Sequence, residues 1–361
     1  MPNLRIKKLT GRAVMVPVAR PLVNASGQLQ RVPLVLIDLE TDKGITGISY
    51  IFSPSAAVLK ALVALVEGIE ELVVGKAVAP QDLEQLLLGK FLLLGGSGLV
   101  TLAIAGLDMA AWDTLGKAVG TPLVRLWGGT PRPLPAYNSN GLGLIGAGKA
   151  GEETRALLDG GFRGVKLRLG YASLREDVEV TRKVVEAVGD DAIVVADYNQ
   201  ALTVAEAIRR GHALDDEGLY WIEEPIHADD YDGCARVARE LKTPVQIGEN
   251  FWSPRDLLRT VTTGAADLVM PDAAKIGGAS AWLRAAAIAA AHGTPMSSHL
   301  FPEISAHMLA VTPTAHFLEY VDWAAPVLNE PVEVVDGFVT ASERPGHGMS
   351  WNEDAIRTFL I

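Results

Sequence analysis

The chain has one cysteine, Cys234, in 361 residues. A single thiol makes no intramolecular disulfide and no cysteine-based zinc site. It is expected to pack as a small apolar side chain. Basic residues are in deficit: 32 Lys and Arg stand against 43 Asp and Glu, a formal net charge of −11. A general nucleic-acid binder needs basic clusters to meet phosphates, so none is expected here. An acidic small substrate stays open, because a local metal ion overrides a global charge. Long apolar runs are also missing. No stretch reaches about 18 apolar residues, so no membrane span or membrane partner is expected. The Ala-rich segment 285–291 is short and lies between Arg284 and His292. Residues 1–14 hold no apolar core of signal-peptide length, and a cytoplasmic location is the default expectation.

What is present is a globular composition, 49% hydrophobic and 21% charged, in a chain long enough for a large domain and a smaller one. Two β-rich runs, 31–38 and 44–51, flank the turn-like Thr41-Asp42-Lys43-Gly44 and predict a hairpin. Helical patterns follow at 56–73, 80–88 and 98–119. The Gly- and Pro-rich stretch 125–135 ends them and marks a boundary. Beyond it, short apolar runs alternate with helical stretches. The runs are 134–138, 164–169, 192–199, 219–225, 245–250, 267–272, 295–299 and 317–320. Eight strands alternating with helices predict parallel βαβ units closing as a barrel. The domains expected are 1–125, 126–325 and a C-terminal segment, 326–361, packing back on the first.

The acids fall in register with these runs. Asp197, Glu223, Glu249 and Asp272 stand at successive strand ends, at intervals of 26, 26 and 23 residues. His299 follows 27 residues later and Glu319 another 20. C-terminal strand ends of a barrel converge on one face, where active sites form. Three converging carboxylates repel one another unless a cation binds, and hard oxygen donors suit Mg²⁺. A neighbouring Asp holds one imidazole nitrogen and frees the other for proton work, so Asp272 and His299 read as a dyad. A carboxyl group at Glu319 facing the substrate is expected to stay protonated and donate to developing negative charge. Lys166 and Arg168, two apart on one strand, share a face. His292, His307 and His316 have no such registry and read as structural.

The ordered stretches AIAGLDMAAWDTLGK, VKLRLGY, DYNQ, WIEEP, VQIGEN, MPDAAKIGG and PMSSHLFPEISAH resemble the enolase superfamily, and within it the mandelate racemase/muconate lactonizing enzyme family. The likeness runs from about Val14 to Tyr320. It implies an α/β fold: a (β/α)₇β modified TIM barrel under an N-terminal α+β capping domain. It implies Asp197, Glu223 and Glu249 as Mg²⁺ ligands, and Asp272–His299 as general base or acid. It also implies Lys166 near the substrate carboxylate, Glu319 on the enediolate, and Ser139 and Asn199 against substrate. Lys275 reads as a salt-bridge partner. The activity implied is α-proton abstraction from a hydroxy-carboxylate, as a racemase or epimerase of a 2-hydroxy acid. A homo-oligomer is implied by analogy.

One position departs from the pattern. The second base of the racemase is the latter Lys of a Lys-x-Lys pair, and here Arg168 stands there. A guanidinium is a costly base. The alternative is therefore one-base chemistry: His299 takes the proton, a β-hydroxyl leaves, and an acid sugar becomes a 2-keto-3-deoxy acid. The loop 18–32 is expected to cover the pocket. Its Arg20, Asn24, Ser26, Gln28 and Gln30 would suit hydroxyl-bearing substrates if they face inward.

Overall fold

The structure is a computed structural model describing residues 3–25, 27–190 and 192–361. Three strands, β1 (Ile6–Asn24), β2 (Gly27–Thr41) and β3 (Thr46–Phe52), form an antiparallel sheet in the order β1-β2-β3. Helices α1 (Leu59–Val73) and α3 (Leu99–Val119) pack against it, and α2 (Pro80–Lys90) packs on those two helices. Helix α3 is apolar nearly all round. By length alone it is long enough to cross a membrane, but it is buried between the sheet and the following domain. An apolar helix with no polar stripe is a core helix in this setting.

A short helix α4 (Leu123–Leu126) leads into the second layer: β4 (Leu134–Asn138), α5 (Ala147–Leu158), β5 (Gly164–Arg168), α6 (Leu174–Val188), β6 (Ile193–Asp197), α7 (Val204–Leu214), β7 (Leu219–Glu223), α8 (Tyr231–Glu240), β8 (Val245–Ile247), α9 (Pro254–Thr263), β9 (Leu268–Val269), α10 (Gly278–His292), α11 (Pro302–Ala310) and β10 (Leu318–Tyr320). The strands β4 to β9 pair in parallel, in sequence order, with β10 beside β4. The expected seventh run, 295–299, is not a regular strand. It makes isolated bridges, Met296 to Val269 and to Ala315, and His299 to Asp272. Those bridges link β9 to the segment before β10 and close the ring. The chain ends with β11 (Phe338–Val339), antiparallel to β4, and α12 (Glu353–Phe359), which lies against β1. Arg12 and Glu353 pair at 2.7 Å, and Trp351 Nε1 donates to Asp38 at 2.8 Å. Cys234 is buried on α8, where burial pushes its thiol up to about 12, so it is inert at working pH.

The segment expected as a loop, 18–32, is strand on both sides of its tip. Leu22 pairs with Leu29, Val23 with Gln28 and Asn24 with Gly27. Pro17 and Pro21 hide this in the sequence, since proline cannot donate to a ladder. The register shifts between Pro17 and Leu22, where the ribbon bends. Val23 O accepts from Leu144 N–H at 2.7 Å, which docks the tip on the loop after β4. Gly143 permits the approach, since a Cβ there would lie 2.4 Å from Val23 O.

Candidate active site

The barrel strands deliver their polar residues to one rim. Asp197 ends β6 and Glu223 ends β7, both fully buried. Glu249 lies two residues beyond β8, across Gly248. That glycine has φ of 141°, and a Cβ on it would meet Met270 N at 2.8 Å. The backbone is strained all along this rim. Leu142, Asn199, Gln200, Glu224, Leu300 and Phe301 have positive φ, and each follows a barrel strand or the 295–299 bridge. Such strain clusters where side chains are aimed rather than merely packed.

Carboxylate oxygens of Asp197, Glu223 and Glu249 lie within 4.8 Å of one another. Asn199 braces Asp197 through its backbone N–H (2.7 Å) and its side-chain amide (2.8 Å). Glu223 Oε2 is buried with no hydrogen-bond partner. Burial, with Asp197, Glu319 and Glu249 around it, pushes the Glu223 carboxyl well above its usual range despite Lys166. Three hard anionic donors, one carrying an orphaned oxygen, fit a small divalent cation such as Mg²⁺.

Lys166, on β5, is 2% exposed and donates to Glu223 at 2.7 Å and Glu319 at 3.2 Å, with Asp197 at 3.0 Å. Burial alone would lower its pKa, but those carboxylates hold it well above the ordinary lysine value. Arg168 is committed differently. Its Nη1 donates to the backbone oxygens of Ser139 (2.8 Å), Gly141 (2.9 Å) and Lys166 (3.3 Å), and its Nη2 to Ser139 Oγ (2.8 Å). The guanidinium thus fixes the loop after β4.

His299 Nδ1 sits 2.7 Å from Asp272 Oδ2 and its Nε2 3.2 Å from Glu249 Oε2. Asp272 Oδ1 accepts from the N–H groups of Ala274 and Lys275, each at 2.8 Å, so the acid is oriented by its own turn. Burial would lower the imidazole's pKa, but Glu249, Glu319 and Asp272 raise it well above the ordinary value.

Glu319 is held by donors on both oxygens. One oxygen accepts from Ser139 Oγ (2.7 Å) and Lys166, and the other from Leu300 N–H (2.9 Å). Burial pushes this carboxyl up, but Lys166, His299 and those donors outweigh it and bring it down to about 2.

A cavity of about 220 Å³ opens on this cluster. Ser139, Lys166, Arg168, Asp197, Asn199, Glu249, Lys275, His299 and Glu319 line it. Glu223 and Asp272 are not on its wall; each acts through the groups it touches. Lys275 donates to Asn250 Oδ1 at 2.7 Å and lies 3.7 Å from Glu249. Asn250 in turn donates to Glu224. Lys275, expected as a salt-bridge partner, thus faces Glu249; its link through Asn250 to Glu224 escaped sequence reasoning, as did the apolar lining of Phe52, Pro54, Leu300, Val321 and Trp323 beside Leu22 and Leu29. Of the polar hairpin residues, Asn24 and Gln28 line the cavity. Arg20 pairs with Glu153 at 3.7 Å, Gln30 is exposed, and Ser26 lies outside the described residues.

Comparison with known proteins agrees with this geometry. Residues 7–128 match the model of the mandelate racemase/muconate lactonizing enzyme N-terminal domain, and residues 149–355 that of the enolase C-terminal domain-like family. The chain is 31% identical to L-talarate/galactarate dehydratase of Salmonella typhimurium, over 96% of this chain and 87% of that one. It is 30% identical to 3,6-anhydro-alpha-L-galactonate cycloisomerase of Streptomyces coelicolor, over 92% and 93%. A solved enolase from Bradyrhizobium, complexed with magnesium and mandelic acid, superposes with a TM-score of 0.96. It shares 45% identity over 100% of this chain and 99% of that one.

Proposed function

From the premise that the chain belongs to the mandelate racemase/muconate lactonizing enzyme family of the enolase superfamily, a Mg²⁺-dependent enzyme acting on carboxylates, we propose that it is an acid-sugar dehydratase. The observation that carries this reading is Arg168. A racemase needs a base on each face of the α-carbon. Arg168, where the second base would stand, spends its guanidinium on three backbone carbonyls and Ser139 Oγ. A guanidinium so held stays charged and does not accept a proton. One base remains, His299, and one base serves elimination without inversion.

Bound Mg²⁺, held by Asp197, Glu223 and Glu249, supplies positive charge to the substrate carboxylate as negative charge builds. The chain's own residues do the rest. Neutral His299 takes the α-proton through Nε2, while Asp272 holds Nδ1 and steadies the imidazolium. The neutral form of His299 is favoured where other cations balance the carboxylates around it. Lys166 meets the enediolate charge with a fixed ammonium, which costs no reorganisation. Glu319 gains proton affinity when an anionic substrate enters beside it. The β-hydroxyl then departs with a proton from imidazolium His299 as water, and the enol relaxes to the 2-keto-3-deoxy acid. C–H and C–O bonds break, water leaves, and no oxidant is needed.

A second reading is a 2-hydroxy-acid racemase. It is favoured by the apolar lining and by the mandelate complex of the Bradyrhizobium relative. The test is proton NMR in D₂O with Mg²⁺ over stereoisomeric aldonic and aldaric acids and both mandelates. A 2-keto-3-deoxy product supports the dehydratase. Accumulation of the opposite α-stereoisomer without that product overturns it.

A further inference from the structure

The cavity has two unlike ends. Lys166, Arg168 and Lys275 are the cations on its wall, and all three stand among the reacting groups. Lys166 is bonded to Glu223 and Glu319, Arg168 to Ser139, and Lys275 lies against Glu249. The apolar lining comes from other parts of the fold. Leu22 and Leu29 are cross-strand partners at the hairpin tip. Phe52 ends β3, and its ring lies 5.3 Å from that of Trp323, just beyond β10. No cation stands among these, and residues 21–30 hold no Lys or Arg, so the undescribed tip residue supplies none. The nearest hairpin cation, Arg20, is off the cavity wall and paired with Glu153.

We propose, resting on the dehydratase reading, that the substrate is a monocarboxylic 2,3-dihydroxy acid with an apolar far end, a terminal methyl or hydrocarbon group, seated against Leu22, Leu29, Phe52 and Trp323. A diacid is disfavoured on simple grounds. Its second carboxylate would lose water against leucine and aromatic carbon with no counter-charge, which costs several kcal/mol. An apolar end gains from the same wall. Gln28, exposed on the same hairpin and on the cavity wall, offers an amide to a substrate hydroxyl. The far wall is fixed, because the tip is docked through Val23 O on Leu144 N–H.

The test uses the Mg²⁺-loaded full chain and three sets of six-carbon acids: 6-deoxyaldonates, aldonates and aldarates of every stereochemistry. Keto-acid formation is followed by NMR. The best 6-deoxyaldonate is expected to exceed the best aldarate by about 100-fold or more in kcat/KM. An aldarate within tenfold of the best monoacid overturns the proposal. Leu29→Arg, with the more exposed Gln28→Arg as a second variant, adds a far-wall cation. Either is expected to raise the aldarate to 6-deoxyaldonate ratio at least about tenfold; an unchanged ratio in two folded variants overturns the proposal. A parallel set of 2-hydroxy monoacids and diacids, lacking the β-hydroxyl, separates the two readings. These are followed by α-deuterium exchange and by inhibition. If nothing yields a keto acid but monoacids still win in exchange and inhibition, the dehydratase reading fails and the seat stands. If keto acids form but diacids win there, the seat fails and the dehydratase stands.

Discussion

Replacing His299 by Asn isolates the question of how many bases the site has. In a two-base site, loss of one base leaves α-proton exchange on the other face. Here His299→Asn is expected to abolish exchange for both α-stereoisomers. A positioned general base contributes about 10² to 10⁴ in rate. Arg168 offers no substitute, with its guanidinium held by four acceptors, and Lys166 is kept protonated by three carboxylates. Exchange should therefore fall by about 10⁴ or to background. The structural cost is contained. Asp272 Oδ2 loses its 2.7 Å partner, worth about 1–3 kcal/mol. Oδ1 keeps its two backbone donors, so the rim should persist. The assay is NMR in D₂O with Mg²⁺ on both α-stereoisomers of a turned-over acid, with thermal unfolding as the folding check. If the variant is folded and still exchanges one stereoisomer within about 100-fold of wild type, another side chain is a base and the one-base argument is wrong.

Three further outcomes follow from the same geometry. Mg²⁺ at about 100 times its Kd should stabilise the fold by about 2.7 kcal/mol; Glu223→Gln should lose that response in thermal melts with and without chelator, and an unchanged response would show the ion sits elsewhere. Gly248→Ala should destabilise the fold by about 2 kcal/mol or more in urea titration and weaken Mg²⁺ binding, because its Cβ meets Met270 N at 2.8 Å beside Glu249; a neutral substitution would contradict that close approach. Glu303, buried and accepting from Tyr50 OH at 2.7 Å, is pushed up to about 7, chiefly by burial. Its folded form binds the proton more tightly than the unfolded chain does, so its contribution is full below about pH 4.5 and is lost as pH rises through about 7. Glu303→Gln should flatten the pH dependence of urea stability in that window, by up to about 3 kcal/mol; an unaltered slope refutes the assignment.

The barrel was legible because its signal is short-range. Each strand is an apolar run ending in a polar group, and Asp197, Glu223 and Glu249 recur at nearly one βα unit. The ring's least regular member, 295–299, still read as a strand from its pattern, though it pairs through single bridges. What sequence concealed was direction and company. Pro17 and Pro21 disguised β1 and the hairpin tip as loop. The hairpin's polar letters suggested a polar pocket, but Leu22 and Leu29 line it, while Arg20 pairs with Glu153 and Gln30 is exposed. Arg168 was visible as a departure, but not its four acceptors, three of which lie 27 to 29 residues away on Ser139 and Gly141. Glu319's charge depends on Lys166, 153 positions away. Such states belong to the assembled cluster, not to any one strand end.

The pairing of Arg12 with Glu353 joins residues 341 positions apart. Val14 bridges to Leu360, and Ile361 N–H donates to Ala13 O. The middle of β1's outer edge, at residues 12–14, is thus covered by residues made much later in synthesis. At about 5–20 residues per second, roughly 20 to 70 seconds separate the synthesis of Arg12 from that of its partner. Through that interval the N-terminal sheet has an open edge, the kind of surface on which unfinished chains pair wrongly. Because that cover is made 341 residues after Arg12, a ribosome that stops before Glu353 releases a chain whose first strand was never covered.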